Sequence, residues 1–311
     1  MEIKKLNKKG MFFTILAIAL LSLFFVSYTI YTNVNDREPI NKRIDTMNNF
    51  IFSLEEDLPR KLYASGFRII FLFEEKIVEN GTYIMDINQT FEEAFFNGTI
   101  YSEQQELMNG VRYQDIIDSI NDKSNSFNVE VNLSNPKISI SQEDPWNIKI
   151  TLTVDLYIKD LGDLVSWNKT SNITTLIPIE NFDDPLYIIN TNGLIAQKVN
   201  KTIYEPFVDG SDVTNLTLHL NNGRYINSTS APSFLNRLEG NITSNQYGVE
   251  SLVYLPDLAS QGITIKDKSI VDYIYFSDND PSSNKVQSMP SWFKLDTSHH
   301  QIYGVENIIV P

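Results

Sequence analysis

The chain has no cysteine, and only three of its 311 residues are histidine. The lack of cysteine excludes disulfides and zinc sites with thiolate ligands, and it argues against an animal-type secreted protein. Three motifs are also missing: the phosphate-binding Gly-x-x-x-x-Gly-Lys-Ser/Thr loop, the Gly-x-Ser-x-Gly nucleophile elbow and the Asp-x-Asp-x-Asp-Gly calcium loop. We therefore expect no cofactor and no enzymatic activity.

Beyond the first ten residues, acidic residues outnumber basic ones. The first ten residues have a local charge of +3, from Lys4, Lys5, Lys8 and Lys9 against Glu2. Because the whole chain has a net charge of −14, the remaining residues together carry −17. An acidic body repels phosphate backbones, and the sequence has no basic patch with interleaved aromatic residues. We therefore expect no nucleic-acid partner.

The longest apolar run is Met11–Thr32, and no charged residue follows it until Asp36. As a helix, these 22 residues would span about 33 Å, which matches the ~30 Å hydrocarbon core of a bilayer. The run is longer than a secretory signal and lacks a small-x-small cleavage site. Lysines crowd only its N-terminal flank, which favours a cytoplasmic N-terminus. We predict a cytoplasmic segment over 1–10, a transmembrane helix over 11–32 with the lipid bilayer as partner, and an extracellular remainder.

The residues around the start of this run carry a resemblance. Lys8–Gly10 followed at once by Met11–Phe13 resembles the class III signal of archaeal type IV pilin-like proteins. The resemblance implies that a prepilin-type peptidase cuts between Gly10 and Met11, that the helix stays in the mature protein, and that other pilin-like subunits are partners. Ile15 occupies the fifth mature position, where bacterial pilins carry glutamate and archaeal members commonly do not. The resemblance is confined to the N-terminal segment.

Ten Asn-x-Ser/Thr triplets lie beyond the apolar run, and nine of them use threonine. Chance in an asparagine-rich sequence is one explanation. The other is N-glycosylation of an exported domain, because glycans are bulky and require surface sites. The predicted glycosylation sites are Asn80, Asn88, Asn97, Asn132, Asn168, Asn172, Asn200, Asn215, Asn227 and Asn241.

Residues 33–125 are predicted to form a helical stalk and a helical subdomain. A stripe of apolar residues with helical spacing contains Ile40, Ile44, Met47, Ile51, Leu54 and Leu58. It packs on the chain's own domain or self-associates as a stalk. Pro39 is expected to kink the chain and Pro59 to interrupt the stripe. A second helix is predicted over 60–78, ending at Asn80-Gly81, with its inward residues being Leu62, Phe67, Ile70, Phe71 and Phe73.

From Phe127 the apolar residues recur at every second position, which is typical of strands. Strands are predicted at 127–133, 138–140, 148–158 and 170–179, as an antiparallel meander with one buried face. A later strand is predicted at 272–276. The predicted fold class is α+β: an N-terminal transmembrane helix continuing into helices, then a mainly antiparallel β ectodomain over 126–311, either undivided or divided near residue 180.

Few side chains are candidates for chemistry. His299 and His300 point in different directions on a strand or a helix, so they rarely share a metal, although Asp296 lies close enough in sequence to join one of them. Two aspartate pairs could supply the acids of a glycosidase: Asp183 with Asp184, and Asp278 with Asp280. Both pairs adjoin prolines in turns, where aspartate is favoured for its local backbone hydrogen bonds. We assign no catalytic, cofactor-binding or metal-binding residue.

The sequence thus predicts a membrane-anchored extracellular glycoprotein, a pilin-like or adhesive subunit of an archaeal envelope. The alternatives are an anchored extracellular hydrolase acting on glycan or peptide, and a ligand-binding ectodomain. A concave pocket with two carboxylates about 5–9 Å apart would favour the hydrolase. An uncovered apolar stripe over 40–58 would favour assembly.

Overall fold

The chain folds into helices followed by antiparallel sheets, as the predicted α+β class requires. The computed structural model describes the backbone of residues 8–310 and the side chains of residues 10–32 and 40–310. Two compact units interleave along the sequence. One comprises the chain up to Glu56 with Ile120–Asn132 and Leu156–Lys169, and the other comprises Asp57–Ser119, Leu133–Asp155 and the chain from Thr170. The domain boundaries predicted from the sequence stay predictions.

Helix α1 runs without a break from Lys8 to Asn80. It therefore joins the predicted transmembrane helix, the apolar stripe and the predicted second helix in one element. The expected interruption at Pro59 is wrong, because a proline removes only one backbone hydrogen bond and the buried side chains of Leu58 and Leu62 hold the helix on both sides of it. The predicted end is confirmed: the Gly81 N–H donates to the Ile77 carbonyl at 2.9 Å, with Gly81 in the left-handed region that ends helices.

In the first unit, part of the apolar stripe is packed within its own chain. Met47 and Leu54 are buried, and so is Phe50, whose ring centroid lies 5.5 Å from that of Phe127. Arg43 fixes the polar side of this packing, since its Nε donates to Asp160 Oδ1 at 2.6 Å. This segment of the helix is therefore a core-facing element rather than an uncovered stalk.

Three long strands form the predicted meander, in the order β3-β4-β5. Their bounds are β3 Val129–Asp144, β4 Asn147–Asp160 and β5 Ser166–Pro178. From Ile148 to Ile158, every second residue of β4 is apolar and buried, as the alternation predicts. In the second unit, α1 approaches this sheet so closely that a Cβ on Gly66 would lie 2.0 Å from Ile150 Cδ1. Only glycine fits at that position without a shift of its neighbours.

Shorter elements complete the chain. The helices after α1 are α2 Ile87–Asn97, α3 Tyr113–Ser126, α4 Pro185–Asn190, α5 Thr214–Asn221, α6 Phe234–Leu238, α7 Leu255–Ser260 and α8 Asp272–Tyr275. Two two-stranded antiparallel sheets pair β1 Thr99–Ile100 with β2 Glu103–Gln104, and β6 Tyr225–Asn227 with β7 Val249–Ser251. A last sheet has the order β10-β8-β9, with β8 Ser283–Val286, β9 Lys294–Asp296 and β10 Ile309–Val310.

The strand predicted at 272–276 is wrong, because this segment begins with helix α8. The carboxylate of Asp272 accepts a hydrogen bond from the Tyr273 N–H at 2.6 Å, which satisfies one of the free donors at a helix start. Asp272 is also held by Arg237. This long-range ion pair fixes the backbone where the local alternation favours a strand.

Candidate functional site

The apolar part of α1, Gly10–Thr32, is long and apolar enough to cross a membrane. None of it is buried, and Phe25 is 70% exposed. Its hydroxyl groups bond within the helix: Thr14, Ser22 and Thr29 each donate to a carbonyl three or four residues earlier. Side chains apolar all round, with hydroxyls satisfied internally, suit a helix surrounded by lipid.

The two residues of the predicted cleavage site begin this segment. Gly10 and Met11 are both helical and exposed, and nothing lies within 4 Å of the position that a Cβ on Gly10 would take. The structure therefore places the bond in an open position. Whether it is cut stays a prediction.

The ten sequon asparagines all lie at the surface. Eight are exposed, and the other two, Asn200 and Asn215, are half-buried. A sequon whose asparagine is buried in the folded protein has no room for a glycan. Every predicted site has access to solvent, which glycosylation requires.

The sequons differ in local structure. Asn241 sits in an exposed loop, where its Oδ1 accepts a hydrogen bond from the Thr243 hydroxyl at 2.8 Å. Asn88 instead lies inside α2, and the hydroxyl of the buried Thr90 donates to the Met85 carbonyl at 2.8 Å. Asn215 lies in α5, and its Nδ2 donates to the Pro206 carbonyl at 2.8 Å. At these two sequons, the folded structure holds a group that a glycosylating enzyme must reach: the Thr90 hydroxyl in the first and the Asn215 side-chain amide in the second.

A fully buried arginine organises the interior of the second unit. The Nη1 of Arg237 donates to Asp184 Oδ2 at 2.5 Å and to Asp272 Oδ2 at 2.9 Å. Burial alone would lower the pKa of Arg237, but the two carboxylates outweigh it and raise that pKa. Tyr225 and Ser251 donate further hydrogen bonds to the aspartates. Both carboxylates are held by groups of their own chain, and within the cluster only the Nε of Arg237 is buried without a hydrogen-bond partner. The cluster is therefore a structural tether between α4, α6 and α8.

A second buried cluster surrounds His299. Its Nδ1 lies 2.8 Å from the Asp296 carboxylate, and its Nε2 lies 3.3 Å from Glu250 Oε2. Burial would lower the pKa of His299, but these two carboxylates raise it to about 10. Burial would raise the pKa of Asp296, but the contact with His299 and hydrogen bonds from Ser298 and Ser269 lower it to about 2. His299 is therefore a charged partner of two acids at neutral pH.

The adjacent histidines do not share a partner. His300 Nε2 lies 3.2 Å from the Leu295 carbonyl, away from the carboxylates that hold His299. Among the residues that the structure describes, no group of three or more histidine, aspartate or glutamate side chains is placed to hold a metal ion. Asp296 joins His299 as an ion pair.

The aspartates of the two predicted pairs have different surroundings. Asp184 caps α4 by accepting from the Leu186 N–H at 2.9 Å, which confirms the turn role predicted for it. Asp278 and Asp280 are exposed in their turn. Asp183 lines a pocket of about 340 Å³ instead.

This pocket, called here the Glu74 pocket, is one of several concave sites among the described residues. It is lined by Phe67, Phe71, Glu74, Glu180, Asn181, Phe182, Asp183 and Lys198. The expected inward positions of Phe67 and Phe71 are wrong: these rings are 41% and 45% exposed at the pocket, because the helix face that carries them is only partly covered. Two of its carboxyl oxygens, Glu74 Oε1 and Asp183 Oδ1, are buried without a hydrogen-bond partner.

Sequence reasoning missed Glu74 and Arg237, although a signal was present. Glu74 follows Phe67, Ile70 and Phe71 at helical spacing, so it is an acid on an apolar helix face. Arg237 likewise interrupts a run of apolar residues. A charged residue at a core position needs a partner, and it could have been marked for that reason.

No protein-family model, curated protein or solved structure matches the chain. Its function is therefore inferred from its own residues and geometry.

Proposed function

We propose that the chain is a membrane-anchored surface glycoprotein of the envelope, held by the apolar segment of α1 with its folded units outside the cell. The observation that carries the proposal is the exposed apolar segment Gly10–Thr32, continuous with a helix whose later residues are packed in a core. The exposed segment needs a nonpolar environment that the described chain does not supply.

Two features support the outward orientation. The lysines before the segment favour a cytoplasmic N-terminus. The surface location of all ten sequon asparagines supports an exported, glycosylated body. These features use different residues, so each supports the orientation independently.

A pilin-like or adhesive subunit is the form of this function that we favour. Support comes from the Lys8–Gly10 signal before Met11 and from the unbroken passage of the apolar segment into the folded body. In such a subunit the peptidase releases residues 1–10. Because Met47 and Leu54 are buried within the chain, assembly with other pilin-like subunits would use the exposed segment Gly10–Thr32 rather than the later part of the helix.

The first experiment is the intact mass and N-terminal residue of the protein purified from native membranes. We expect a chain that begins at Met11, with a mass well above that of the polypeptide because of glycans. A chain that keeps Lys4–Lys9 would reject pilin-type processing and leave a plain signal anchor. Recovery of the protein in the soluble fraction, with no added mass, would reject the anchored glycoprotein itself.

A further inference from the structure

The Glu74 pocket has no part in the proposed function, yet it carries unfilled hydrogen-bonding capacity. Glu74 is only 8% exposed, and its Oε1 has no partner; Asp183 Oδ1 is unpartnered as well. Buried polar atoms without partners are rare and cost free energy. Once Glu74 is ionised, both oxygens can accept hydrogen bonds from one incoming donor.

The charge of the pocket favours a cation. Three carboxyl groups line it, Glu74, Glu180 and Asp183, against the single ammonium of Lys198. The adjacent Asp184 is already paired with Arg237. An incoming positive charge would therefore meet an excess of acids.

Burial, helped by the neighbouring acids, keeps Glu74 uncharged. Burial, followed by the charges of Asp183 and, more weakly, Asp184, raises the pKa of Glu74 to about 9. A backbone hydrogen bond from Asp183 and the charge of Lys198 oppose that shift. Glu74 is thus protonated at neutral pH, and a cation beside it would make its ionised form favourable.

The aromatic wall narrows the kind of cation. Phe67, Phe71 and Phe182 line the pocket, and phenyl faces attract cations and pack against alkyl chains. A hard metal ion such as Ca²⁺ requires six to eight oxygen ligands, and no group of three or more acidic or histidine side chains among the described residues is placed to hold a metal ion.

We propose that the Glu74 pocket binds an organic ammonium group on an alkyl chain, either a diffusible amine or the lysine side chain of another protein. The ammonium donates N–H hydrogen bonds to Glu74 and Asp183 while its alkyl chain lies against the phenylalanines. As it enters, the Glu74 carboxylic acid gives its proton to solvent, so each cation bound releases one proton. The inference is independent of membrane anchoring.

The test is calorimetric titration of the full chain in detergent with n-butylammonium and with Nα-acetyl-lysine N-methylamide. Because one proton is released, affinity should rise about tenfold per pH unit between roughly pH 6 and pH 8. Two buffers with different ionisation enthalpies measure the proton directly. Equal binding of both probes supports a diffusible amine, and tighter binding of the lysine probe supports a protein partner.

Variants locate the effect. Glu74→Gln keeps the size of the side chain and removes its charge, so affinity should fall at least tenfold above pH 7 and the pH dependence should vanish. Glu75→Gln is the matched control, because Glu75 is the exposed neighbour on the same helix, and it should bind as the parent does. Phe71→Ala should weaken binding several-fold and serves as the second variant if Glu74→Gln does not fold.

Several results would overturn the proposal. They are the absence of binding, equal binding of the uncharged analogue n-butanol, preferential binding of Ca²⁺, and a pH dependence that persists in Glu74→Gln. Hydrolysis of glycosides that depends on Glu74 would overturn it too, and would favour the hydrolase alternative.

Discussion

Two segments of helix α1 are rich in apolar residues, but only the first is free of charged residues, and their surroundings are opposite. In Gly10–Thr32 the apolar residues form a continuous run, and none of that run is buried. From residue 57 onward they recur at helical spacing, and Ile69 and Phe73 are completely buried. The difference teaches that spacing, rather than hydrophobicity alone, tells whether an apolar helix has its partner in its own chain.

The largest test of this comparison is removal of the run. A chain that begins at residue 33 should leave the membrane fraction entirely and remain soluble, because the exposed apolar residues are gone. It should keep a cooperative unfolding transition, measured by circular dichroism during heating. Loss of the transition would mean that the apolar segment is part of the folding unit.

A matched pair of substitutions tests the comparison at single residues. Phe73→Ala should lower the free energy of unfolding by about 3–5 kcal/mol, since Phe73 has no exposed surface and its loss leaves a cavity. Phe25→Ala, at a ring that is 70% exposed, should change it by less than about 0.5 kcal/mol. Denaturant unfolding in detergent measures both, and equal effects would contradict the contrast.

Charged residues extend the comparison between buried and exposed positions. His299→Gln should lower the free energy of unfolding by on the order of 3 kcal/mol near neutral pH, because it leaves Asp296 and Glu250 buried without their cation. The folded pKa of His299 is about 10, above its ordinary 6.5, so its stabilisation is complete below 6.5 and is lost as pH rises through 10. The gap between variant and parent should therefore narrow over that window.

His300→Gln is the control for the histidine variant. Its ring contacts the Leu295 carbonyl rather than a carboxylate, so a smaller loss is expected. Urea unfolding at several pH values measures both variants. A gap for His299→Gln that stays constant through pH 10 would show that the ion pairs do not stabilise the fold.

The smallest effect concerns two glycines of the same helix. A Cβ on Gly66 would collide with Ile150 and Ile177, whereas one on Gly10 would meet nothing within 4 Å. Gly66→Ala should destabilise by about 1 kcal/mol, because overpacking of about 1–3 kcal/mol exceeds the gain of about 1 kcal/mol in helix propensity. Gly10→Ala should not destabilise, and thermal unfolding compares the two. Stabilisation by Gly66→Ala would mean that the side chains of Ile150 and Ile177 move aside at little cost in free energy.

Local patterns predicted the parts of the fold whose forces are local. The alternation of β4 and the Asn80-Gly81 stop were confirmed, because period and turn chemistry act within a few residues. Pro59 was misjudged because tertiary packing holds the helix on both sides of it. The segment at 272–276 was misjudged because Asp272 accepts a hydrogen bond from Arg237, which is 35 residues away in the sequence.

The candidate sites divide in the same way. The sequons and the apolar segment are short, continuous stretches of sequence, so both could be located from the sequence alone. The Glu74 pocket could not, because Glu74 and Asp183 are far apart in sequence and only the fold brings them to one cavity. The exposure of Phe67 and Phe71 likewise depends on which parts of a helix face are left uncovered.

The helical sequons carry a consequence for the order of events in the life of the chain. Once α2 has formed, the Thr90 hydroxyl is occupied and Asn88 is fixed in a helix. An enzyme that reads an extended Asn-x-Thr segment would have to act there before that helix closes, whereas Asn241 stays open afterwards. The ratio of glycan occupancy at Asn88 to that at Asn241 would therefore show when glycans are attached. Equal occupancy would indicate attachment before folding, and a glycan at Asn241 alone would indicate attachment after it.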